Sequence, residues 1–162
     1  MPDLANLPYP PSFGGIARSP AFGGRGRVSY LTGAGVAGAY SVSVTQPAGS
    51  VLLDIVLTAV ALWNAGTSAT GIVGDTGDDD GYFTGIDCKA TDWLATEQLS
   101  FALAGGKAGA YIAVSQANKR YTVADRAITL KITTVGTATT GESIMDVFWL
   151  WPSRGETAGT FV

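Results

Sequence analysis

A chain of 162 residues sets one domain with an ordinary core as the expectation. Hydrophobic residues make up 46% and charged residues only 14%, against about 25% charge in an average soluble domain, so much small and apolar surface is left to face other chains. A net charge of −3 excludes a basic nucleic-acid or membrane footprint, the lack of any histidine excludes imidazole-based triads and metal sites, and one cysteine, Cys88, excludes an intrachain disulfide.

Residues 1–26 hold five of the seven prolines (Pro2, Pro8, Pro10, Pro11, Pro20), a composition that suits neither helix nor central strand. Two readings stay open for this extended stretch. It is a disordered leader, or an arm that orders against a neighbouring chain, with Tyr9, Phe13 and Phe22 as anchors and Arg18, Arg25 and Arg27 meeting carboxylates. The N-terminus lacks a basic n-region and a continuous apolar core, so no secretory leader is expected.

From Arg27 the pattern is β. Strands are expected at 27–32 and 39–45, the second with Tyr40, Val42 and Val44 on one face and serines on the other. Gln46-Pro-Ala-Gly49 reads as a turn. Val51–Leu62 reads as a long strand, with Leu53, Ile55, Leu57 and Ala59 sharing a face; it is too short to span a bilayer. Turning at Trp63–Gly66 and returning through Thr70–Val73, it is expected to form a buried hairpin.

After the loop at 74–83, Asp87–Leu94 is expected to make one or two helical turns capped by Asp87. Short strands are expected at 98–103, 111–114 and 120–123. Arg126–Thr134 is a clean amphipathic strand with Ile128, Leu130 and Ile132 inward, and Ser143–Trp151 is a strongly apolar last strand ended by Pro152. The sum is an all-β chain of about eight strands, an antiparallel β-sandwich of jelly-roll type over 27–152, with a polar tail at 153–162.

The acidic loop, Gly74–Phe83, carries Asp75, Asp78, Asp79 and Asp80. Its carboxylates repel one another, and calcium would relieve that; Asp78, Asp80 and Asp87 fall at ligand positions of an EF-hand alignment. Thr76 occupies the first position, where a carboxylate belongs, so a solvated Asp-Gly turn is the preferred reading and no metal or other cofactor is expected. Crowded on one loop, these carboxylates also lack the roughly 5–10 Å spacing across a cleft that glycoside hydrolysis needs. Gly33–Gly38 fits G-x-G-x-x-G, yet a strand and not a helix follows it. No catalytic residues are assigned. Trp149 and Trp151 share a face with Met145 and Val147 and are expected in core or subunit packing.

Two regions, Val51–Trp93 and Tyr111–Trp151, resemble small virion proteins of tailed bacteriophages. The resemblance rests on Asp80-Gly81-Tyr82 after an apolar strand, on Tyr121–Asp125 before a threonine-rich strand, and on Thr137–Glu142 before an apolar last strand. It implies a head decoration, or cement, protein: a jelly-roll-like homotrimer on the capsid exterior, bound to the major capsid protein, with no enzymatic activity. Tyr9, Phe13, Arg18, Phe22, Arg25, Arg27, Trp149 and Trp151 are then the candidate interface residues. The alternatives are a head-fibre or tail module of similar fold, and a calcium- or carbohydrate-binding β-sandwich.

Overall fold

The computed structural model describes residues 24–32, 35–89, 92–112 and 119–151, with residues 24–32 described by backbone alone. Among the described residues eight strands run in order: β1 (Gly24–Thr32), β2 (Val36–Gln46), β3 (Val51–Ala61), β4 (Ser68–Gly74), β5 (Phe83–Asp87), β6 (Gln98–Leu99), β7 (Arg126–Ala138) and β8 (Glu142–Leu150). They form two four-stranded sheets, β1-β8-β3-β6 and β2-β7-β4-β5, and every pairing is antiparallel. The first strand therefore meets the last, the second the seventh, the third the sixth and the fourth the fifth, with alternate pairs in opposite sheets. All-β architecture with about eight strands is as expected.

The core lies between the sheets and follows the strand period of two. Leu52, Ile55 and Leu57 of β3 and Met145 and Val147 of β8 face Val73 of β4, Ile86 of β5 and Ile128, Leu130 and Ile132 of β7. At one end Trp63 closes the sandwich, 2% exposed, its Nε1 donating to Ser143 Oγ at 3.0 Å. At the other end Tyr82, Phe83, Phe101 and Tyr111 form a connected aromatic plug.

Several expectations are corrected. β3 and β4 do not form a hairpin: β3 pairs with β8 and β6, and β4 with β7 and β5, so Trp63–Thr67 crosses between the sheets. Both edges of each strand are already taken, by β8 and β6 for β3 and by β7 and β5 for β4, which leaves no room for a β3–β4 pair. Leu53 does not share a face with Ile55 and Leu57, because a register shift between Leu52 and Asp54 turns Leu52 inward and leaves Leu53 46% exposed. Among the described residues of 87–94 there is no helix; Asp87 Oδ1 instead accepts from Lys89 N at 2.9 Å in a turn.

The strand at 98–103 is cut to Gln98–Leu99, since Asp54 Oδ1 takes the Phe101 amide away from the ladder. Tyr111 and Tyr121 lie in the connection from β6 to β7, touching strands through single bridges or turns; 113–118 lies outside the described residues. β1 begins at Gly24, three residues inside the segment expected to be the arm. Arm residues 1–23, Pro152 and the tail at 153–162 lie outside the described residues.

Candidate functional site

β7 opens with Arg126, which strand alternation places on the same inward side as Ile128, Leu130 and Ile132. Gln46, at the end of β2 and fully buried, meets it from the neighbouring strand as its register partner. The Arg126 guanidinium donates from Nε and Nη2 to Gln46 Oε1 (3.2 and 2.6 Å) and from Nη1 to the Lys119 carbonyl (2.6 Å). It also donates from Nη2 to the Arg120 carbonyl (3.2 Å) and reaches Asp75 Oδ2 at 3.4 Å. Gln46 Nε2 in turn donates to the Ser50 and Arg120 carbonyls. One cation thus ties the β2–β3 turn, the acidic loop and the β6–β7 connection into a single end of the sandwich.

Asp75 carries the tie into the acidic loop. Its Oδ1 accepts from the Gly77 and Asp78 amides at 2.8 and 3.1 Å, and its own amide donates to the Asp78 carbonyl. Beneath the loop, Tyr82 and Tyr111 pack edge to face with centroids 5.3 Å apart, and burial raises both phenols above their ordinary range. The Arg120 guanidinium lies 4.6 Å from the Phe101 ring centroid, and that of Arg126 5.9 Å from the Tyr82 ring.

The structure brings Asp78, Asp79 and Asp80 together, their carboxylate oxygens within 4.8 Å of one another. Asp87, the third expected calcium ligand, is not in that group. Asp79 pairs with Lys131 at 2.6 Å and Asp80 accepts from Thr84 Oγ1 at 2.6 Å. A hydrogen bond to Asp80 raises the Asp78 carboxyl above its ordinary value, while Thr84 and Asp78 hold Asp80 below it. The loop relieves its crowding with Lys131, Arg126, hydroxyls and amides, so its own partners account for its composition.

Of the expected interface residues, Tyr9, Phe13, Arg18 and Phe22 lie outside the described residues. Arg25 and Arg27 are in β1, as Cα partners of Phe148 and Asp146. Trp149 is 8% exposed and belongs to the core, with Trp151 partly buried against it at a centroid distance of 6.4 Å. Cys88 is 1% exposed, and burial pushes its thiol up to about 12, consistent with a small apolar packing role.

The two outer faces differ. On β2-β7-β4-β5, Ser41, Ser43, Thr45, Thr70 and Thr133 are exposed around half-buried Lys131. On β1-β8-β3-β6, Leu53 and Val60, the extra residues at two register shifts, stand exposed beside half-buried Val56, Phe148 and Leu150. Leu103, Tyr121 and Val123 are exposed on the β6–β7 connection.

A second tie holds that connection to the sheet. Asp92 Oδ2 pairs with Lys107 Nζ at 2.7 Å and accepts from the Asp87 amide at 2.8 Å; the lysine, then the amide, hold its carboxyl below the ordinary value of 3.8. A depressed carboxylate contributes stability above its unfolded value and loses it as pH falls through its folded one. Asp92→Asn is therefore expected to lower the melting temperature by a few degrees at neutral pH. The gap to wild type should close as pH falls below about 4; melting curves across that range check it, and a gap constant with pH counts against the pairing.

No family model matches the sequence, and no curated protein matches it. Three chains of solved structures do. One comes from the acidic stable capsid structure of Helicobacter pylori bacteriophage KHP30, at 15% identity over 80% of this chain and 95% of that one, with a TM-score of 0.50. Another comes from the capsid of Ralstonia phage GP4, at 16% identity over 81% and 85%, with a TM-score of 0.51. The third comes from the cyanophage Pam1 capsid asymmetric unit, at 20% identity over 80% and 86%, with a TM-score of 0.48. At these identities the likeness is one of fold: a two-sheet β-sandwich shared with chains found in phage capsid structures.

Proposed function

We propose that this chain is a structural virion protein of a tailed phage that coats the outside of the capsid and bridges major capsid subunits as a homotrimer. The observation that carries the reading is the fold shared, across four-fifths of the chain, with chains from the KHP30 and GP4 capsid structures. The strand order agrees, because pairing first with last and second with seventh, in alternating sheets, is that of an eight-stranded jelly roll. Composition points the same way: a chain with 14% charge and no histidine suits adhesion better than catalysis.

The shell-facing end is the one where the chain enters and leaves, Gly24 opposite Trp149, and where Leu103, Tyr121 and Val123 stand exposed. Burying those side chains against the shell, together with the aromatic residues and Arg18 of the 1–23 arm, supplies the contact area. Cryo-electron microscopy of the virus particle tests the reading. A copy number comparable to that of the major capsid protein, on the outer surface, is expected; a few copies at a vertex or tail would instead make it a fibre or connector module. A chain lacking residues 1–23 is expected to bind shells much more weakly, and undiminished occupancy would remove the arm from the contact.

A further inference from the structure

We infer that β2 is a self-pairing edge, through which two copies of this chain join their β2-β7-β4-β5 sheets across a two-fold axis. Two four-stranded sheets have four edges, and proteins ordinarily blunt such edges with charge, proline, irregularity, shortness or cover. Three of the four edges here are blunted. β1 carries Arg25 and Arg27 and a register shift between Val28 and Leu31. β6 is two residues long. β5 is five residues long and is covered by the β6–β7 connection, through the Phe83–Ala108 bridge and Lys107 Nζ donating to the Gly85 carbonyl at 2.9 Å.

β2 is the exception. It runs for eleven residues, Val-Ala-Gly-Ala-Tyr-Ser-Val-Ser-Val-Thr-Gln, with no charge and no proline. It pairs with β7 on one side, and among the described residues no other strand is hydrogen-bonded to it; β1, of the opposite sheet, approaches it without pairing. Its register is regular from Gly38 to Gln46. On the β7 side, the Gly38 amide donates to the Thr134 hydroxyl and the Gly38 carbonyl accepts from it, and Ser43 and Thr129 touch hydroxyl to hydroxyl at 2.7 Å, as close non-hydrogen-bonded pairs do. By alternation, the amides and carbonyls of Ala39, Ser41, Ser43 and Thr45 face the open side.

The occupant is a second β2 because the strand complements itself. Antiparallel self-pairing sets Ser and Thr beside Ser and Thr on the outer face and Val beside Val or Tyr on the inner one, with no like charges opposed. A two-fold contact also consumes the edge it uses, so the pair closes instead of growing into a fibre. Within a three-fold coat, such contacts would link neighbouring trimers. The pairing can be tested in solution and does not depend on the capsid reading.

The test uses full-length chain. Sedimentation velocity over a concentration series is expected to show reversible association, lost in Ser43→Pro, which removes an outward amide, and kept in Ser43→Ala. Of Ser41→Cys alone, Ser43→Cys alone and the two mixed, the combination that the two-fold register sets opposite is expected to give disulfide-linked dimers on mild oxidation. Thr133→Cys, exposed on the same face one strand inward, is expected to give no disulfide-linked dimer. Buried Cys88 does not compete. The inference is overturned if the full chain stays monomeric throughout, if Ser43→Pro folds and associates like wild type, or if Thr133→Cys cross-links as readily as the β2 cysteines.

Discussion

Arg126→Met is expected to remove about 3–5 kcal/mol of stability, the usual cost of stripping one member from a buried ion pair. Its guanidinium side chain is 15% exposed and its partner Asp75 9%, so little water stands ready to replace it. The substitution keeps the length of the aliphatic stem and deletes every donor. Gln46 Oε1 loses both the arginine bonds that hold it, and the Lys119 carbonyl loses its 2.6 Å partner. Asp75 loses its counter-charge while still fixed by the Gly77 and Asp78 amides. Each orphaned buried acceptor costs roughly 1–3 kcal/mol, and a domain has only about 5–15 kcal/mol in all.

At about 2–4 °C per kcal/mol for a domain of this size, the melting temperature should fall by roughly 10 °C. Arg126→Lys keeps the charge without the fork and should recover only part of the loss. Adding Asp75→Asn to Arg126→Met should cost less than the sum of the single changes, because the pair acts as a unit. Urea denaturation followed by tryptophan fluorescence measures wild type, the three single variants and the double variant. A loss below about 1 kcal/mol for Arg126→Met, the value of a surface pair, would mean the hub does not hold this end together.

The hub also marks where the sequence was legible and where it was not. Strands β2, β3, β7 and β8 stand out because alternation and β-branched content are local signals, and they coincide with the observed elements to within a few residues. The partner of each strand is not a local property. β3 lies next to β4 in sequence and in the opposite sheet in space, and nothing in Trp63–Thr67 announces the crossing. Bulges are equally silent: the shift at Leu52–Asp54 exchanges which leucine is inside without changing the hydrophobic pattern.

The Arg126–Gln46 contact did leave a signal. Both residues fall on the inward parity of their strands, Arg126 with Ile128 and Gln46 with Val44, and a polar residue on an inward position asks for a partner. The acidic loop was legible in composition and misleading in geometry. Asp78 and Asp80 do come together, but Asp87 belongs to the next strand end, where it stabilises a turn.

A close backbone approach against that loop gives the second large effect. Gly109→Ala is expected to cost about 3 kcal/mol, the upper end for overpacking, because a methyl there has nowhere to go. Its Cβ would sit 2.2 Å from the Asp80 carbonyl oxygen and 2.4 Å from that of Gly81, and both are backbone atoms that no rotamer change can move aside. The approach is drawn in by two hydrogen bonds, Gly109 N to the Tyr82 carbonyl at 2.9 Å and Tyr111 N to the Gly81 carbonyl at 2.7 Å. Relieving the clash means breaking them, which lifts the Tyr111 ring off Tyr82 and admits water to the aromatic plug. Gly106→Ala is the matched control: three residues away in the same connection, its Cβ meets nothing within 4 Å. Restricting the unfolded chain there should be neutral or stabilising by up to about 1 kcal/mol. Denaturation of the two variants side by side, with hydrogen exchange at the Gly109 and Tyr111 amides, reads the difference. Equal stabilities and unchanged protection would show that the β6–β7 connection does not rest against the acidic loop.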